Sequence, residues 1–468
     1  MLFTSGSFVV LVLLTVLVYY VRPRRGWQLG VLLVSSFVFY AWNFPWLLLL
    51  LLASIALNVA VARALAGNTG VTQQRRAAVL GVVLNLAILA FFKYSPLVGR
   101  MLPEGWGLAE FLVAVPLPIG ISFFTFQGIS LVVDLYRKDV LPRSQVRSED
   151  EHRGELPAAG LALYIAFFPQ LVAGPIVKAR DFLPQLGTKR FADVAWPAVY
   201  QALVTGYFLK MVVADNLKDY TYWMKYPGYE TLPKLDLSVL LLGYSAQIFA
   251  DFAGYSLIAI GLARLFGYRL MDNFRFPYIA RSFSEFWRRW HISLSTFLKE
   301  YLYIPLGGNR GGTLLTYRNL MITMALGGLW HGAAWSYAVW GIYHGLLLAV
   351  ERWWRDRGLP WTSRDWPRRL WVFGLVTLGW LLFRLPDFGE VIGYLNGVLS
   401  NRWYGGMDRM VQVLLYVAPV AGYHLLYLYA DKNRPAFRRV WRPVGLGVLL
   451  FLILTNAGSP GDFIYFQF

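Results

Sequence analysis

The stretch that decides the fold class is WLLLLLLASIALNVAVARAL, residues 46–65, which carries a single charged residue, Arg63. A helix of about 20 mostly apolar residues is long enough to cross the hydrocarbon core of a bilayer. Comparable apolar segments lie near residues 8–21, 27–41, 78–92, 111–133, 159–175, 195–214, 237–262, 319–350, 369–386, 410–429 and 443–456. The pattern therefore predicts an all-α, polytopic transmembrane protein.

These segments predict about 11–13 membrane crossings, re-entrant pieces or interfacial helices, at about 20 residues for each span. The run at 319–350 is long enough for two helices, whereas several other runs are too short to span upright. No long soluble segment interrupts the apolar pattern. We therefore expect one integral-membrane domain over residues 1–468.

The composition agrees with a membrane protein and narrows the function classes. Hydrophobic residues make up 57% of the chain and charged residues only 15%, whereas soluble domains carry about 25% charged residues. The net charge of +18 comes from basic residues that border the apolar segments, so we expect contacts with membrane lipids and none with nucleic acid. The absence of cysteine excludes disulfides, thiolate metal sites and a cysteine nucleophile.

Basic loops indicate the orientation, because cytoplasmic loops of membrane proteins collect lysine and arginine. Arg22–Arg25 follow the first apolar run, so we expect a retained first helix with its N-terminus outside rather than a cleaved signal peptide. The basic region Arg264–Arg310 is expected to be cytoplasmic. The longest polar stretch, 136–158, is expected to be a cytoplasmic loop that contains a solvated His152.

One basic loop, at residues 178–190, disagrees with simple alternation of the spans, which would place it outside. The preceding FFPQLVAGPI (167–176) contains Pro169, Gly174 and Pro175, which interrupt a helix. A broken or re-entrant segment would remove the conflict. Non-helical backbone at membrane depth is tolerated only where it is buried in protein or lines a cavity, so we expect a pathway beside this segment.

The segment EFWRRWHISL, residues 285–294, is too charged to span a membrane, and Ser284 followed by Glu285 predicts a helix N-terminus. The pattern predicts an amphipathic interfacial helix that ends at Pro305 and the Gly307–Gly308 turn. Helical spacing gives this helix an aromatic and apolar face made of Trp287, Trp290, His291, Leu294 and Leu298. His291 is thus either a packed histidine bonded to a backbone carbonyl or one that faces a desolvated cavity.

A second histidine, His331, lies in the apolar stretch LGGLWHGAAWSYAVWGIYHG, residues 326–345. The small residues around it allow close approach of a second helix or of a ligand to the backbone. An ionisable group at membrane depth is a functional hypothesis by default, and desolvation would keep the imidazole neutral, as a general base requires. The alternative is a structural hydrogen bond within a helix pair.

The other histidines are expected to be structural. His344 follows on the same apolar run and is predicted to be packed or to support the site, and His424 carries no further signal. We expect no metal site, because the sequence has no HxxxH or HExxH spacing and no cysteine. A Ser–His–Asp triad is also disfavoured, since no GxSxG stretch is present.

Along nearly its whole length the chain resembles the membrane-bound O-acyltransferase family, and within it the bacterial alginate O-acetyltransferase-like branch. The similarity includes PIGISFFTFQGISLVVDLYR (118–137), FFPQLVAGPI (167–176), FAGYSLIAIG (252–261), NFRFPYIARSFSEFWRRWHISLSTFLKEYLYIPLGGNR (273–310), LGGLWHGAAWSYAVWGIYHG (326–345) and the terminal FIYFQF. The resemblance implies a multi-pass enzyme of the bacterial inner membrane, with its helices around a central funnel or pore.

The resemblance further implies that an acetyl or other acyl group moves from a cytoplasmic thioester, such as acetyl-CoA, to a hydroxyl. The expected reaction is O-acetylation of an exopolysaccharide such as alginate, directly or through a periplasmic acetyltransferase partner, with no permanently bound cofactor. The resemblance implies that His331 is the catalytic residue and His291 a second active-site residue. We expect Asn273 to shape the donor cavity.

Basic side chains of the same segment are expected to bind the donor. Arg288, Arg289 and Lys299 would hold the phosphates if the donor is acetyl-CoA.

Three alternatives remain at this point. The acyl group could be D-alanyl or another group, delivered by a carrier protein to a cell-envelope polymer. Broken helices and buried histidines are also expected in a transporter, although no inverted repeat is visible in the sequence. A scaffold of a polysaccharide export complex is the third possibility.

Overall fold

The computed structural model describes the chain except residues 68–69, 104, 140–156, 173, 360–361, 363, 404–406, 430–434, 462 and 465–468. Most of the predicted loop at 136–158, with His152, and most of the terminal FIYFQF therefore lie outside the described residues. Within the described ranges every regular element is helical and no strand is present. The predicted all-α membrane fold is thus confirmed, whereas the central funnel or pore stays a prediction.

The α-helices are α1 (Gly6–Val21), α2 (Arg25–Ala41), α3 (Leu47–Gly67), α4 (Val71–Gly99), α5 (Gly107–Ala114), α6 (Ile121–Arg137), α7 (Ala158–Ala166), α8 (Phe168–Leu171), α9 (Ala179–Phe182), α10 (Trp196–Tyr207), α11 (Asp215–Thr221), α12 (Gly228–Thr231), α13 (Lys234–Leu265), α14 (Phe283–Trp287), α15 (Ile292–Leu298), α16 (Thr313–His331), α17 (Trp335–Asp356), α18 (Asp365–Arg384), α19 (Phe388–Ser400), α20 (Asp408–Tyr429) and α21 (Pro435–Thr455). Two π-helical turns, Phe208–Ala214 and Lys299–Tyr303, interrupt the α-helical pattern. Short 3₁₀ turns lie at Leu183–Gln185, Phe191–Asp193, Tyr222–Met224 and Pro277–Ile279.

Five of the described helical segments are long and apolar enough to cross a membrane: Leu47–Gly67, Val71–Gly99, Trp196–Met224, Lys234–Leu265 and Asp408–Leu428. Two shorter apolar helical stretches, Gly6–Val21 and Pro443–Thr455, add to them. The predicted 11–13 crossings and interfacial pieces exceed this number, and the count of crossings stays a prediction. The chain forms two compact units, unit 1 (residues 1–200 and 258–271) and unit 2 (residues 201–257 and 272–468). The expected single domain therefore also stays a prediction.

In unit 1, one pair of buried asparagine side chains joins two long helices by hydrogen bonds. Asn58 of α3 and Asn85 of α4 exchange two side-chain hydrogen bonds of 3.2 and 3.0 Å. A Cβ atom at Gly128 of α6 would lie 2.6 Å from both amides, so only glycine lets the third helix approach. Reciprocal amide pairs satisfy polar groups that would be costly in an apolar interior.

The predicted break in the 159–175 segment is confirmed. Helix α7 ends at Ala166 after 9 residues, too short to cross a bilayer, and the chain turns at Phe167 before the 4-residue α8. Lys189 and Arg264 line one cavity of unit 1. The basic loop after α8 and the basic loop after α13 therefore meet at one cavity, and the side of the membrane on which they lie stays a prediction.

In unit 2, α16 and α17 form a tightly packed helical hairpin, as the length of the 319–350 run predicts. A Cβ atom at Gly328 would lie 2.1 Å from the carbonyl oxygen of Tyr337. A Cβ atom at Gly341 would lie 2.2 Å from the carbonyl oxygen of Met324. The backbones therefore touch where these glycines lie, in the manner of small-residue contacts between membrane helices.

We expect Gly328→Ala to destabilise the protein by about 1–3 kcal/mol, because the added methyl group must push the two backbones apart. The matched control is Gly374→Ala in α18, where an added Cβ meets nothing within 4 Å. That change should be neutral or stabilising by about 0.5–1 kcal/mol, because alanine favours the helix. Thermal unfolding of the detergent-solubilised variants measures both effects, and equal midpoints for the two would contradict the assigned contact.

Candidate functional site

The expected continuous helix over the 285–298 segment is wrong, because the chain turns sharply at His291. Helices α14 and α15 are separate, and His291 between them has φ 42° and ψ 55°, in the left-handed region. This conformation costs a non-glycine residue about 1–2 kcal/mol, so surrounding contacts must hold it. The predicted end of the segment, at the Gly307–Gly308 turn, is confirmed.

The predicted N-cap at Ser284 is also wrong by two residues. Ser282 has extended backbone, and its side-chain oxygen accepts a hydrogen bond from the backbone N–H of Glu285 at 3.0 Å. Ser284 lies within the first turn, where its hydroxyl accepts a 2.7 Å hydrogen bond from Arg288. The cap is set by the extended backbone of Ser282, which follows the 3₁₀ turn at Pro277–Ile279 and which sequence spacing alone does not reveal.

Asn273 holds the left-handed turn in place. Its carbonyl oxygen accepts from the backbone N–H of Ile292 at 2.9 Å, and its side-chain oxygen accepts from the hydroxyl of Ser293 at 2.9 Å. The side-chain amide nitrogen donates to Ser256 at 3.1 Å. Asn273 is 1% exposed and its amide is used within the protein, so its surroundings favour positioning of His291 over contact with a donor.

We expect Asn273→Ala to lower the stability of the protein by about 1–3 kcal/mol, because it leaves buried hydrogen-bonding groups near His291 unsatisfied. Ser256→Ala removes only one bond of the same cluster and should cost about 1 kcal/mol. Chemical unfolding in detergent gives both values. A smaller loss for Asn273→Ala than for Ser256→Ala would show that the left-handed turn does not depend on Asn273.

The structure brings the two sequence-predicted histidines together. The ring centroids of His291 and His331, 40 residues apart in the chain, lie 6.2 Å from one another. Both side chains are buried, at 0% and 3% exposure. Their surroundings are aromatic, with ring centroids 4.6–5.8 Å away, and consist of Phe252, Trp330, Trp340 and Phe383.

These surroundings favour neutral imidazoles. Burial lowers the pKa of His291, in the turn outside the five apolar spans, to about 3. A neutral imidazole can accept a proton on one nitrogen and donate from the other. The pair therefore provides the groups that general-base chemistry and oxyanion stabilisation require.

The remaining described histidines lie in aromatic packing. His344 is fully buried among Phe286, Trp287 and Trp340, and neither ring nitrogen has a hydrogen-bond partner within the described residues. His424 Nδ1 lies 2.8 Å from the carbonyl oxygen of Val420. Among the residues that the structure describes, no three His, Asp or Glu side chains are grouped to hold a metal ion.

The four side chains expected at the donor divide into two kinds. Arg288 and Lys299 are exposed. Arg289, in contrast, forms a 2.8 Å ion pair with Glu285 and donates to the carbonyl oxygen of Arg275. Burial alone would raise the pKa of Glu285, but the backbone N–H of Arg281 and the Arg289 guanidinium outweigh it, so the pKa lies below its usual range. Arg289 therefore stabilises α14, and Asn273 stabilises the turn that follows this helix.

Unit 2 also contains a charged cavity that was not predicted from the sequence. Lys210 donates to Asp215 at 2.6 Å, to Asp251 at 2.8 Å and to the carbonyl oxygen of Gly461 at 3.0 Å, so all three of its donor positions are used. The cavity measures about 450 Å³. Its lining side chains are mainly charged or polar and include Lys210, Asp215, Lys218, Asp219, Tyr222, Lys225, Gln247, Asp251 and Arg384. The sequence feature that could have indicated this cavity is the presence of charged residues within the apolar runs 195–214 and 237–262.

Comparison with known proteins identifies the family of the chain. Residues 9–382 match the model of the membrane-bound O-acyltransferase family. The chain is 40% identical to the probable alginate O-acetylase AlgI of Azotobacter vinelandii, over 83% of this chain and 76% of that protein. It is 34% identical to the peptidoglycan O-acetyltransferase of Helicobacter pylori, over 79% of this chain and 73% of that protein.

The similarity extends to a more distant relative. The teichoic acid D-alanyltransferase of Bacillus subtilis is 28% identical, over 58% of this chain and 69% of that protein. The match to the family model covers both histidine segments and most of the chain, which decides for an enzyme over the transporter hypothesis. The chain belongs to the membrane-bound O-acyltransferase family and is an O-acyltransferase of the membrane.

Proposed function

We propose that the protein transfers an acetyl group from a cytoplasmic thioester, such as acetyl-CoA, to a hydroxyl of an exopolysaccharide or of a periplasmic partner that serves it. The reaction would take place at His291 and His331, in the inner membrane of a bacterium. The observation that carries the proposal is the 6.2 Å approach of these two buried imidazoles. The relatives named for alginate and peptidoglycan support a polysaccharide as the acceptor.

In the proposed reaction, the neutral imidazole of His331 accepts the proton of the attacking hydroxyl. The hydroxyl oxygen forms a bond to the thioester carbonyl carbon and gives a tetrahedral oxyanion. An N–H of His291 would stabilise that oxyanion in surroundings where aromatic rings exclude water. The C–S bond then breaks, and the leaving thiolate takes up the proton that His331 carries, so the imidazole returns neutral.

The acceptor hydroxyl is proposed to enter from the charged cavity. Asp251 lines the cavity, and the next residue, Phe252, packs on His291 with ring centroids 4.6 Å apart. Arg384 lines it too, and the preceding Phe383 packs on His331 at 5.3 Å. Residues adjacent in sequence to the cavity lining thus pack against both histidines. A mixture of carboxylates, an amide and cations suits the hydroxyl groups of a sugar.

The donor is proposed to contact Arg288 and Lys299, which are exposed near the histidine turn. We assign positioning roles to Arg289 and Asn273, because their polar atoms are engaged within unit 2.

The test uses the purified full chain in nanodiscs with radiolabelled acetyl-CoA and a polymannuronate acceptor. The proposal expects a base-labile label on the polysaccharide, since an O-acetyl ester is cleaved by mild base. A second arm adds a periplasmic extract of an alginate-producing bacterium, in which a partner protein would take up the label. Absence of label from the polysaccharide and from protein in both arms would overturn the proposal.

A further inference from the structure

A second cavity, in unit 1, is basic rather than mixed in charge. It measures about 310 Å³ and is formed by two loops, residues 188–195 and residues 264–269. Four cations line it, Lys189, Arg190, Arg264 and Arg269, against one carboxylate, Asp193, so the lining carries a net charge of 4 − 1 = +3. This charge is large for so small a space.

The backbone of both loops is fixed by glutamine side chains. Gln28 accepts from the backbone N–H of Lys189 at 2.9 Å and donates to the carbonyl oxygen of the same residue at 2.8 Å. Gln185 makes the same pair of bonds with Arg269, at 2.7 and 3.0 Å. These hydrogen bonds use only backbone atoms of Lys189 and Arg269. The charged ends of both side chains therefore remain available to a ligand.

Although Asp193 lines the same cavity, none of the four cations forms an ion pair with a carboxylate within the part of the chain that the structure describes. The Lys189 ammonium lies 5.0 Å from the ring centroid of Tyr268 rather than beside a carboxylate. Arg264 donates to the carbonyl oxygen of Ala198 at 3.3 Å. Burial, and then the neighbouring Arg269, lower the pKa of the Lys189 ammonium, as expected where like charges face one another.

We propose that this cavity binds a ligand with at least two phosphate charges, with Lys189 and Arg269 as the main contacts. Preorganised guanidinium and ammonium groups are the usual partners of phosphate, and a bound oligoanion would relieve the repulsion among the cations. The volume fits a diphosphate or a phosphorylated ribose rather than a whole nucleotide thioester. Two sources have this chemistry: the nucleotide end of the thioester donor, which rests on the proposed function, and the headgroup of an anionic phospholipid.

The first test is binding of 3′,5′-ADP to the full chain in nanodiscs of neutral lipid, read as a shift of the thermal midpoint. The wild type should gain stability, and Lys189→Gln and Arg269→Gln should each weaken binding about tenfold or more, as loss of a charge-assisted hydrogen bond requires. Arg357→Gln, at the residue that follows α17 and whose side chain stacks on Trp353, is the matched control and should bind as the wild type does. Without ligand, neither cavity variant should lower the midpoint, because each removes repulsion.

The second arm distinguishes the two sources. Nanodiscs with phosphatidylglycerol or cardiolipin should stabilise the wild type but not Lys189→Gln if the ligand is a lipid headgroup. A donor site predicts instead that Lys189→Gln raises KM for acetyl-CoA about tenfold and leaves KM for S-acetyl-pantetheine, which lacks the nucleotide phosphates, unchanged. No shift with either probe, or equal shifts in the variants and the wild type, would overturn the inference. If no acyl transfer is detected while 3′,5′-ADP still binds, the proposed function is overturned and the inferred phosphate site is not.

Discussion

His331→Ala should reduce acyl transfer by about 10²–10⁴-fold while the protein still folds and inserts. The reason is that the attacking hydroxyl is a weak nucleophile unless a base takes its proton. His331 is the buried imidazole at the end of α16, 6.2 Å from His291. The measurement is the rate of label transfer from saturating acetyl-CoA, at matched amounts of folded protein.

The matched control is His424→Gln. His424 is also a buried histidine of unit 2, but its Nδ1 atom is paired with the carbonyl oxygen of Val420 in α20. We expect the control to keep the rate within about threefold, since it removes no group from the proposed reaction. A His331→Ala rate equal to that of the control would remove His331 from the catalytic role.

The second large effect is expected at Lys210, where Lys210→Met should destabilise the protein by about 3–5 kcal/mol. Removing one member of a buried ion cluster leaves the others as uncompensated charges in an apolar interior. Lys210 and Asp251 are 1% and 5% exposed at their side chains, and the Lys210 ammonium holds both Asp215 and Asp251. Chemical unfolding of the detergent-solubilised protein measures the loss.

Lys218→Met is the control for this prediction. Lys218 lines the same cavity, but its side chain is 33% exposed and its ion pair with Asp219 spans 3.8 Å. The expected loss is about 1 kcal/mol or less, as for other exposed pairs. Replacing Asp251 by Asn together with Lys210→Met should recover part of the loss. A Lys210→Met protein as stable as Lys218→Met would show that the cluster is not held by the buried ammonium.

Much of the fold could be predicted from the sequence, because its signals are local, whereas the pairing of the two histidines was implied only by the family resemblance. A long apolar run predicts a membrane helix whichever neighbouring helices it packs against. The 319–350 run is long enough for two helices, and its glycines allow the contact seen at Gly328 and Gly341. The broken segment before Pro175 followed from the helix-interrupting residues.

The parts that could not be predicted depend on contacts between distant residues. The left-handed turn at His291 is stable because Asn273, 18 residues earlier, binds Ile292 and Ser293. Helical periodicity favoured a continuous helix there, and tertiary contacts overrode it. The Lys210 cluster joins three separate segments, so only the presence of isolated charges in apolar runs could have pointed to it.

A double-mutant cycle on kcat/KM tests whether His291 and His331 act together in one acyl-transfer site. Label transfer from acetyl-CoA is measured for the wild type, His291→Ala, His331→Ala and the double variant, each at matched amounts of folded protein. Residues that act as a unit show strong non-additivity. A shared site predicts that the double variant loses no more activity than His331→Ala alone, within about threefold. Losses that multiply, or transfer that persists in the double variant, would contradict it.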